Sequence, residues 1–452
     1  MTAALEPEWW LEQWTRAGKP RRLCVAFSGG RDSTALLHSL SRMAKGVSGQ
    51  APELRAVHIN HGLQEGAASW ARHCNALASD WSVPLRVVEV QVREDGNGLE
   101  DAARQARYSA LMGQLAADEW LLTAHHQQDQ AETLLLNLFR GAGVKGLSAM
   151  PAVRERLGGR HWRPMLALSN ELIDQYVSTH SLRWLDDPSN EDPRFRRNWL
   201  RNVMLPQLRE NYPSLDQQLV QTAGQMAEAQ RHLDVLADQW LTPRLMEGGC
   251  GLSLQAWERY SGEQQRLMLR RWLDQMLPSA DQLLRLQREL IEAGPDRQPE
   301  FKLGDWTIRR FGCALWRLRT LPPMDSSETA RRALAPGETQ LPAGAGSLTV
   351  QGATALLADL QWGFAVGGER IKLHDQVHHR RLKQLHQRIG VPPWIRVRTP
   401  LLWRNQALLS VGGYWNSTEF AELQQQGLVF RWKHALCAEP RKVLRSDKPE
   451  TA

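Results

Sequence analysis

The sequence predicts an α/β fold: a Rossmann-like parallel-sheet domain, then a helical middle domain, then a small α+β domain near the C-terminal end. Three observations carry this. Short β-rich runs alternate with amphipathic stretches between Arg22 and about Met165, the first run opens directly into a glycine turn and a helix, and helical spacing takes over after Ser214. At 452 residues the chain exceeds what one hydrophobic core fills, so several domains are expected. The divisions are read at 1–213, 214–323, a linker over 324–346, and 347–452.

In the first domain, strands are expected at Leu23–Phe27, Leu54–Ile59, Leu85–Val90 and Trp120–Thr123. Strands separated by helical patterns in this way form a parallel sheet covered on both faces. Ser214 with Gln217 three residues on forms a capping box, after which Leu215, Leu219, Ala223, Met226, Leu233, Leu236 and Trp240 recur at roughly helical spacing. A second helical stretch is expected around Leu267–Leu277. Leu321-Pro322-Pro323 closes this domain, and a Pro-, Ser-, Gly- and Ala-rich segment follows to about Gly346. Beyond it, Ser347–Val350 and Leu408–Val411 read as strands around a basic helical stretch.

Hydrophobic residues at 42% and charged residues at 23% are ordinary globular usage, and no apolar run is long enough to span a bilayer. The N-terminal residues lack a basic region followed by an apolar one, so no signal peptide is expected and a cytoplasmic location is. Cys24, Cys74, Cys250, Cys313 and Cys437 are scattered without a C-x-x-C pair, which speaks against a disulfide framework, zinc or an iron–sulfur cluster, and all five are read as thiols. A net charge of +7 suits a polyanionic partner.

The run Leu23-Cys24-Val25-Ala26-Phe27 leads straight into Ser28-Gly29-Gly30-Arg31-Asp32-Ser33, and Leu36, Leu37, Leu40 and Met43 then mark one helix face. A strand, a glycine turn and a helix N-terminus make an anion site, because glycine lets the backbone close on a phosphate and the helix end offers unpaired N–H groups. The Gly-Lys-Ser/Thr ending of a Walker loop is absent, which disfavours γ-phosphoryl transfer. Asp32 in such a loop would repel a phosphate unless a cation intervenes, so it reads as a Mg²⁺ ligand or, alternatively, as a helix cap. These residues match S-G-G-x-D-S, and so the segment resembles the PP-loop ATP pyrophosphatase family. That resemblance implies the adenine nucleotide alpha-hydrolase-like variant of the fold. It also implies ATP cleaved between its α- and β-phosphates, pyrophosphate held in the loop, and AMP left on the substrate.

Two further segments fall at strand ends, where ligands of open α/β sheets bind, and a third is a charged helix face that exposed i,i+4 pairs would also explain. Val57-His58-Ile59-Asn60-His61-Gly62-Leu63 ends the second strand; Glu100, Arg104, Arg107 and Tyr108 share a helix face; and Thr123-Ala124-His125-His126-Gln127-Gln128-Asp129 with Glu132 follows the fourth strand. Asp129 and Glu132 on one face suit a second Mg²⁺ or a substrate ammonium, though a solvated helix start explains them too. Together with Arg140-Gly141-Ala142-Gly143 through Met150, Trp184-Leu185-Asp186-Asp187-Pro188, and Arg196-Arg197-Asn198-Trp199-Leu200-Arg201, these segments resemble the tRNA(Ile)-lysidine synthetases. So do Arg380-Arg381-Leu382-Lys383 and Gly390-Val391-Pro392-Pro393-Trp394 in the last domain. Gln128 departs from the aspartate usual in that family.

The resemblance implies adenylation of the wobble cytidine of an isoleucine tRNA with a CAU anticodon, followed by attack of the ε-amine of L-lysine. It places Ser28, Gly29, Gly30, Arg31 and Ser33 on pyrophosphate and Asp32 on Mg²⁺. Asp129 and Glu132 would take lysine or a metal, Arg104 and Arg107 would offset charge on ATP or RNA, and His125 is the candidate proton acceptor. A homodimer is left open. For the RNA itself, Arg194, Arg196, Arg197 and Arg201 form one basic cluster and Arg380, Arg381 and Lys383 belong to another. Trp394, Trp403, Trp415 and Trp432 interleave with the second, as base stacking would require, or as an ordinary Trp-containing core would. A sulfur-transferring PP-loop enzyme lacks its cysteines here, a small-molecule ligase leaves the basic region without a purpose, and a non-catalytic RNA binder would not need an intact phosphate loop.

Overall fold

The computed structural model describes residues 4–46, 51–60, 67–90, 99–156, 159–186, 196–246, 249–276, 278–293, 297, 299–325, 327–374, 376–388 and 390–433. The chain forms two compact units, Met1–His232 and Leu233–Ala452. In the first, the elements run α1 (Pro7–Arg16), β1 (Arg22–Ala26), α2 (Arg31–Gly46), β2 (Glu53–Asn60), α3 (Ala67–Asp80), β3 (Leu85–Glu89), α4 (Leu99–Gly113), β4 (Glu119–Leu122) and α5 (Gln127–Phe139). They continue with α6 (Val144–Leu147), β5 (Val153–Arg156), β6 (Gly159–Trp162), α7 (Asn170–Thr179) and α8 (Arg196–Trp199).

The sheet order is β3-β2-β1-β4-β6-β5, parallel except for β5, which runs antiparallel to β6. All four strands predicted for this domain form within a residue or two of their expected positions. Chain order reverses between β1 and β4, so the loops leaving these two strands diverge and open a crevice at their carboxyl ends. On α2, Leu36, Leu37, Leu40 and Met43 are at most 1% exposed and pack with Leu23, Val25 and Phe27 of the first strand region. Burial of each such side chain stabilises by roughly 1.5–3 kcal/mol, which holds the helix and its N-terminal turn rigidly on the sheet.

Glu6 anchors α1, accepting from Arg42 of α2 at 2.6 Å and from His180 just past α7 at 3.0 Å. Burial alone would raise its carboxyl, but hydrogen bonds from His180 and Arg42 outweigh that and hold it below the usual carboxylate range. A depressed value in the folded state gives stability that is present above the unfolded pKa and lost as the pH falls through the folded one. Glu6→Gln is therefore expected to melt below wild type near neutral pH, with the difference shrinking as thermal melts are repeated toward about pH 4.

The second unit contains the end of the expected helix Leu215–Leu241 and, overlapping the stretch expected at Leu267–Leu277, the helix Gly262–Trp272; a further helix, Ala280–Leu286, was not expected. Beside them lies a five-stranded antiparallel sheet built from residues 245–319, in a domain expected to be helical. Its signal is present in hindsight, since Trp306–Phe311 and Ala314–Arg319 form a hairpin across Gly312 at φ +57°. Residues 332–433 fold as a mixed sheet, a three-stranded sheet and short helices. Gly346–Gln351 and Ala407–Val411 are the two strands expected there. Trp394, Trp403 and Trp432 are at most 6% exposed and belong to the core, so these rings are not stacking platforms for bases; their basic neighbours Arg380, Arg381 and Lys383 are exposed. Cys24, Cys74 and Cys313 are free thiols, whereas Cys250 is disulfide-bonded, contrary to the expectation of five thiols. Among the described residues no helix is long and apolar enough to cross a membrane.

Candidate active site

Ser28, Gly29 and Gly30 bridge β1 and α2 in a loop fixed from three sides. The Ser28 and Ser33 hydroxyls are 3.0 Å apart, Ser33 Oγ donates to the Gly30 carbonyl at 3.0 Å, and the Gly30 amide donates to Ser28 Oγ at 3.3 Å. From α3, Trp70 Nε1 donates to the Ser28 carbonyl at 2.6 Å, and the Leu185 amide donates to the Gly29 carbonyl at 3.0 Å. Gly29 adopts φ +82°, and a Cβ there would lie 2.7 Å from Cys74 Sγ and 3.0 Å from Trp70 Nε1. Gly29→Ala is accordingly expected to distort the loop and weaken ATP binding roughly tenfold, the equivalent of about 1–2 kcal/mol of backbone strain. Calorimetric titration with ATP reads this; an unchanged affinity would remove the loop from nucleotide binding.

The loop opens onto a cavity of about 670 Å³, whose lining includes Ser28, Gly30, Asp32, Asn60, Tyr108 and His125. A space of that size accommodates a nucleotide-sized ligand. Arg107 reaches the same cavity from α4 and Arg201 from beyond α8. Arg104 is on α4, but its side chain lies outside the described residues, as do the Glu100 side chain, His61 and Arg194. Arg31 also borders the cavity, yet its guanidinium is tied down: it donates to Asp32 Oδ1 at 2.8 Å, to Asp174 Oδ1 at 2.8 Å and to Asn170 Oδ1 at 3.1 Å. Asn170 in turn donates to Gln128 Oε1. Gln128 thus belongs to a chain of contacts that joins the phosphate loop to α7 and α5.

Asp32, in the first turn of α2, faces the His126 ring and the Arg31 guanidinium. Burial alone would raise its pKa, but His126, 3.5 Å away, and Arg31 outweigh that and keep it ionised. His126 is the N-cap of α5 and lies between Asp32 and Asp129, with Nε2 3.6 Å from the Asp129 carboxylate. Burial pulls His126 down, but the two carboxylates outweigh it and raise its pKa; the long 3.3 Å contact from the Gln128 amide to Nδ1 is what the ring gives up on protonation. Among the described residues no group of three or more His, Cys, Asp or Glu side chains is arranged to enclose a metal. A Mg²⁺ that arrives with ATP does not need such a cage: one carboxylate, phosphate oxygens and water suffice, and the ionised Asp32 at the loop's edge fits that donor set.

Asp129 and Glu132 are brought together, with guanidiniums between them. Arg197 on α8 donates to Asp129 Oδ1 at 3.0 Å and to Glu132 Oε2 at 2.8 Å. Arg201 donates to Asp129 Oδ1 at 3.0 Å and to Glu132 Oε1 at 2.6 Å. Glu132 has no exposed surface, so each charge depends on the others. Burial would raise Asp129, but His126 and the two arginines hold it far below its ordinary value. Arg201 lies on a π-helical turn, Leu200–Met204, continuous with α8, an irregularity often found at functional sites. The oxygens that the sequence offered to a metal or an ammonium are therefore occupied by Arg197 and Arg201, and these two of the proposed RNA-binding arginines face inward. Arg196 is exposed beside Phe139, Arg140 and Trp199.

His58 is buried with Nδ1 2.9 Å from the Phe27 carbonyl, where it braces the end of β1. Trp70, Asn170, Asp174, His161 and Arg163 were missed in the sequence. Each meets the site across a long separation and carries no motif of its own.

A parallel sheet with a Ser-Gly-Gly anion loop at its switch point is the architecture of a PP-loop domain, and the PP-loop domain family model matches residues 7–208. The TilS substrate binding domain model matches residues 252–316 and the TilS substrate C-terminal domain model matches 360–432. Curated tRNA(Ile)-lysidine synthases are similar over nearly the whole chain: that of Pseudomonas aeruginosa is 39% identical over 89% of this chain and 91% of its own, and that of Escherichia coli O157:H7 is 36% identical over 91% and 96%. The chain belongs to the tRNA(Ile)-lysidine synthase family. Among solved structures, the U34-tRNA thiolase NcsA from Methanococcus maripaludis with its [4Fe-4S] cluster is similar at a TM-score of 0.39 and 13% identity, covering 48% of this chain and 80% of that one.

Proposed function

We propose that the protein is a cytoplasmic carbon–nitrogen ligase. It activates the wobble cytidine of a CAU-anticodon isoleucine tRNA with ATP and couples L-lysine to it, releasing pyrophosphate and AMP. The product, lysidine, shifts codon reading from AUG to AUA. The observation that carries this reading is a phosphate loop without a Walker lysine, closed by Trp70 and Leu185 and bordered by the ionised Asp32, in a chain of this family.

In this reading Ser28, Gly29, Gly30 and Ser33 hold pyrophosphate oxygens, with Arg31 held nearby by Asp174. Asp32 would hold Mg²⁺, which when bound would supply charge neutralisation at the pyrophosphate. Arg201, set by Asp129 and Glu132, presents a fixed cation to the ATP or RNA phosphates, with Arg104 and Arg107 contributing from α4. His125 lies in the cavity wall beside the reacting groups. Residues 1–213 catalyse, while 214–323 and 347–452 bind the tRNA, where the exposed Arg380, Arg381 and Lys383 contact phosphates; Arg194 and Arg196 contact RNA near the catalytic domain. The test is where ATP is cut. With ATP labelled in its α-phosphate, label should appear as AMP and not ADP, and only when the isoleucine tRNA is present; RNA-independent ADP would refute the assignment.

A further inference from the structure

From His125 in the cavity wall, a line of hydrogen bonds runs through Thr123, which also borders the cavity, and His161 to a buried guanidinium. His125 Nδ1 lies 2.7 Å from Thr123 Oγ1, Thr123 Oγ1 lies 2.8 Å from His161 Nε2, and Arg163 donates to His161 Nδ1 at 3.1 Å. The other terminal nitrogen of Arg163 donates to the Pro151 carbonyl at 2.8 Å. Thr123, His161 and Arg163 are 7%, 0% and 5% exposed, so the bonds from His161 to its two neighbours lie in the interior. The Tyr108 ring packs on His161 with centroids 5.5 Å apart.

The direction of every bond follows from the last member. A guanidinium only donates. His161 Nδ1 must therefore accept, its proton is on Nε2, and Nε2–H donates to Thr123. Thr123 has one hydroxyl proton and gives it to His125 Nδ1. His125 is left with Nδ1 as acceptor and its proton on Nε2. Protonating both of its nitrogens would make Thr123 an acceptor from two sides and strand a buried hydroxyl proton, a cost that hydrogen-bonded interiors avoid.

We infer that Thr123, His161 and Arg163 are positioning residues that fix His125 as a neutral hydrogen-bond donor through Nε2–H, aimed at an oxygen of the reacting groups, and not as the proton acceptor its sequence context suggested. The tautomer stands on this geometry alone; only the identity of the acceptor, a phosphate or base-carbonyl oxygen, rests on the function proposed above.

The test uses the full chain with ¹⁵N-labelled histidine, His125 being assigned by comparison with His125→Gln. Wild-type His125 should show a protonated Nε2 and a bare, hydrogen-bonded Nδ1 near neutral pH. Thr123→Val and Arg163→Met should both move proton occupancy onto Nδ1, and Thr123→Val, nearly isosteric, covers the case in which the arginine variant does not fold. In kinetics of RNA-dependent AMP formation, Arg163→Met should lower kcat ~10- to 100-fold with the KM for ATP unchanged, and Arg163→Lys, which restores a donor, should recover most of the loss. A wild-type His125 protonated on Nδ1, or a tautomer that neither Thr123→Val nor Arg163→Met moves, overturns the inference. The expected tautomer in a protein that makes no AMP with any RNA supports the network and refutes the functional reading instead.

Discussion

Replacing Asp32 with alanine is expected to lower kcat for RNA-dependent AMP formation by roughly 10²- to 10³-fold, as for loss of one electrostatic group aimed at developing charge. The reason lies in its surroundings. Asp32 is the carboxylate at the mouth of a loop designed for phosphate, and His126 and Arg31 hold it ionised even against burial. In the proposed function, Mg²⁺ would stand between this carboxylate and the phosphates and offset their mutual repulsion. The alanine variant leaves His126 and Arg31 facing the phosphates directly, so ATP should still bind and metal dependence should be lost. Rates measured across a Mg²⁺ titration check this. A variant that retains both wild-type kcat and wild-type Mg²⁺ dependence would exclude Asp32 as the metal ligand.

Glu132→Ala carries the second large effect, and here it falls on stability. The carboxylate is fully buried between Arg197 and Arg201, and removing one partner of such a network strands the other charges at a cost of about 3–5 kcal/mol. For a folding unit of this size each kcal/mol shifts the melting temperature by about 2–4 °C, so a drop on the order of 10 °C is expected. Adding Arg197→Met to Glu132→Ala should cost less than the sum of the two single changes, because the pair shares one interaction. Calorimetry of the four proteins reads the coupling. If Glu132→Ala instead melted like wild type and raised only the KM for lysine, Glu132 would be a substrate ligand and not the clamp on Arg201.

The sequence disclosed what is local. The apolar strand, two glycines and an amphipathic helix are adjacent in the chain, so periodicity and turn chemistry locate β1, the phosphate loop and α2 without knowledge of the rest. Strand positions followed for the same reason. What stayed hidden depends on distant pairings. Arg31 turns to Asp174, 143 residues away, and Glu132 meets Arg197 and Arg201, 65 and 69 residues away; each looks in the sequence like a free charge near a site. The hairpin of β5 and β6 was missed because Val153–Arg156 and Gly159–Trp162 are short and rich in charged residues, with strand character supplied by pairing to β4. Tryptophans in a basic segment read equally as stacking platforms or as core, and only burial decided for core at Trp394, Trp403 and Trp432.

In the proposed function this phosphate loop serves lysine transfer to one particular RNA. Its most direct measurement is incorporation of radiolabelled L-lysine into RNA by the purified protein with ATP and Mg²⁺, comparing a CAU-anticodon isoleucine tRNA with a methionine tRNA of the same anticodon, for wild type and Asp32→Ala. Label entering the isoleucine tRNA alone, and only with intact Asp32, is the predicted result. RNA-dependent AMP formation with no lysine in either RNA would contradict the substrate assignment and leave the loop's chemistry to a different acceptor.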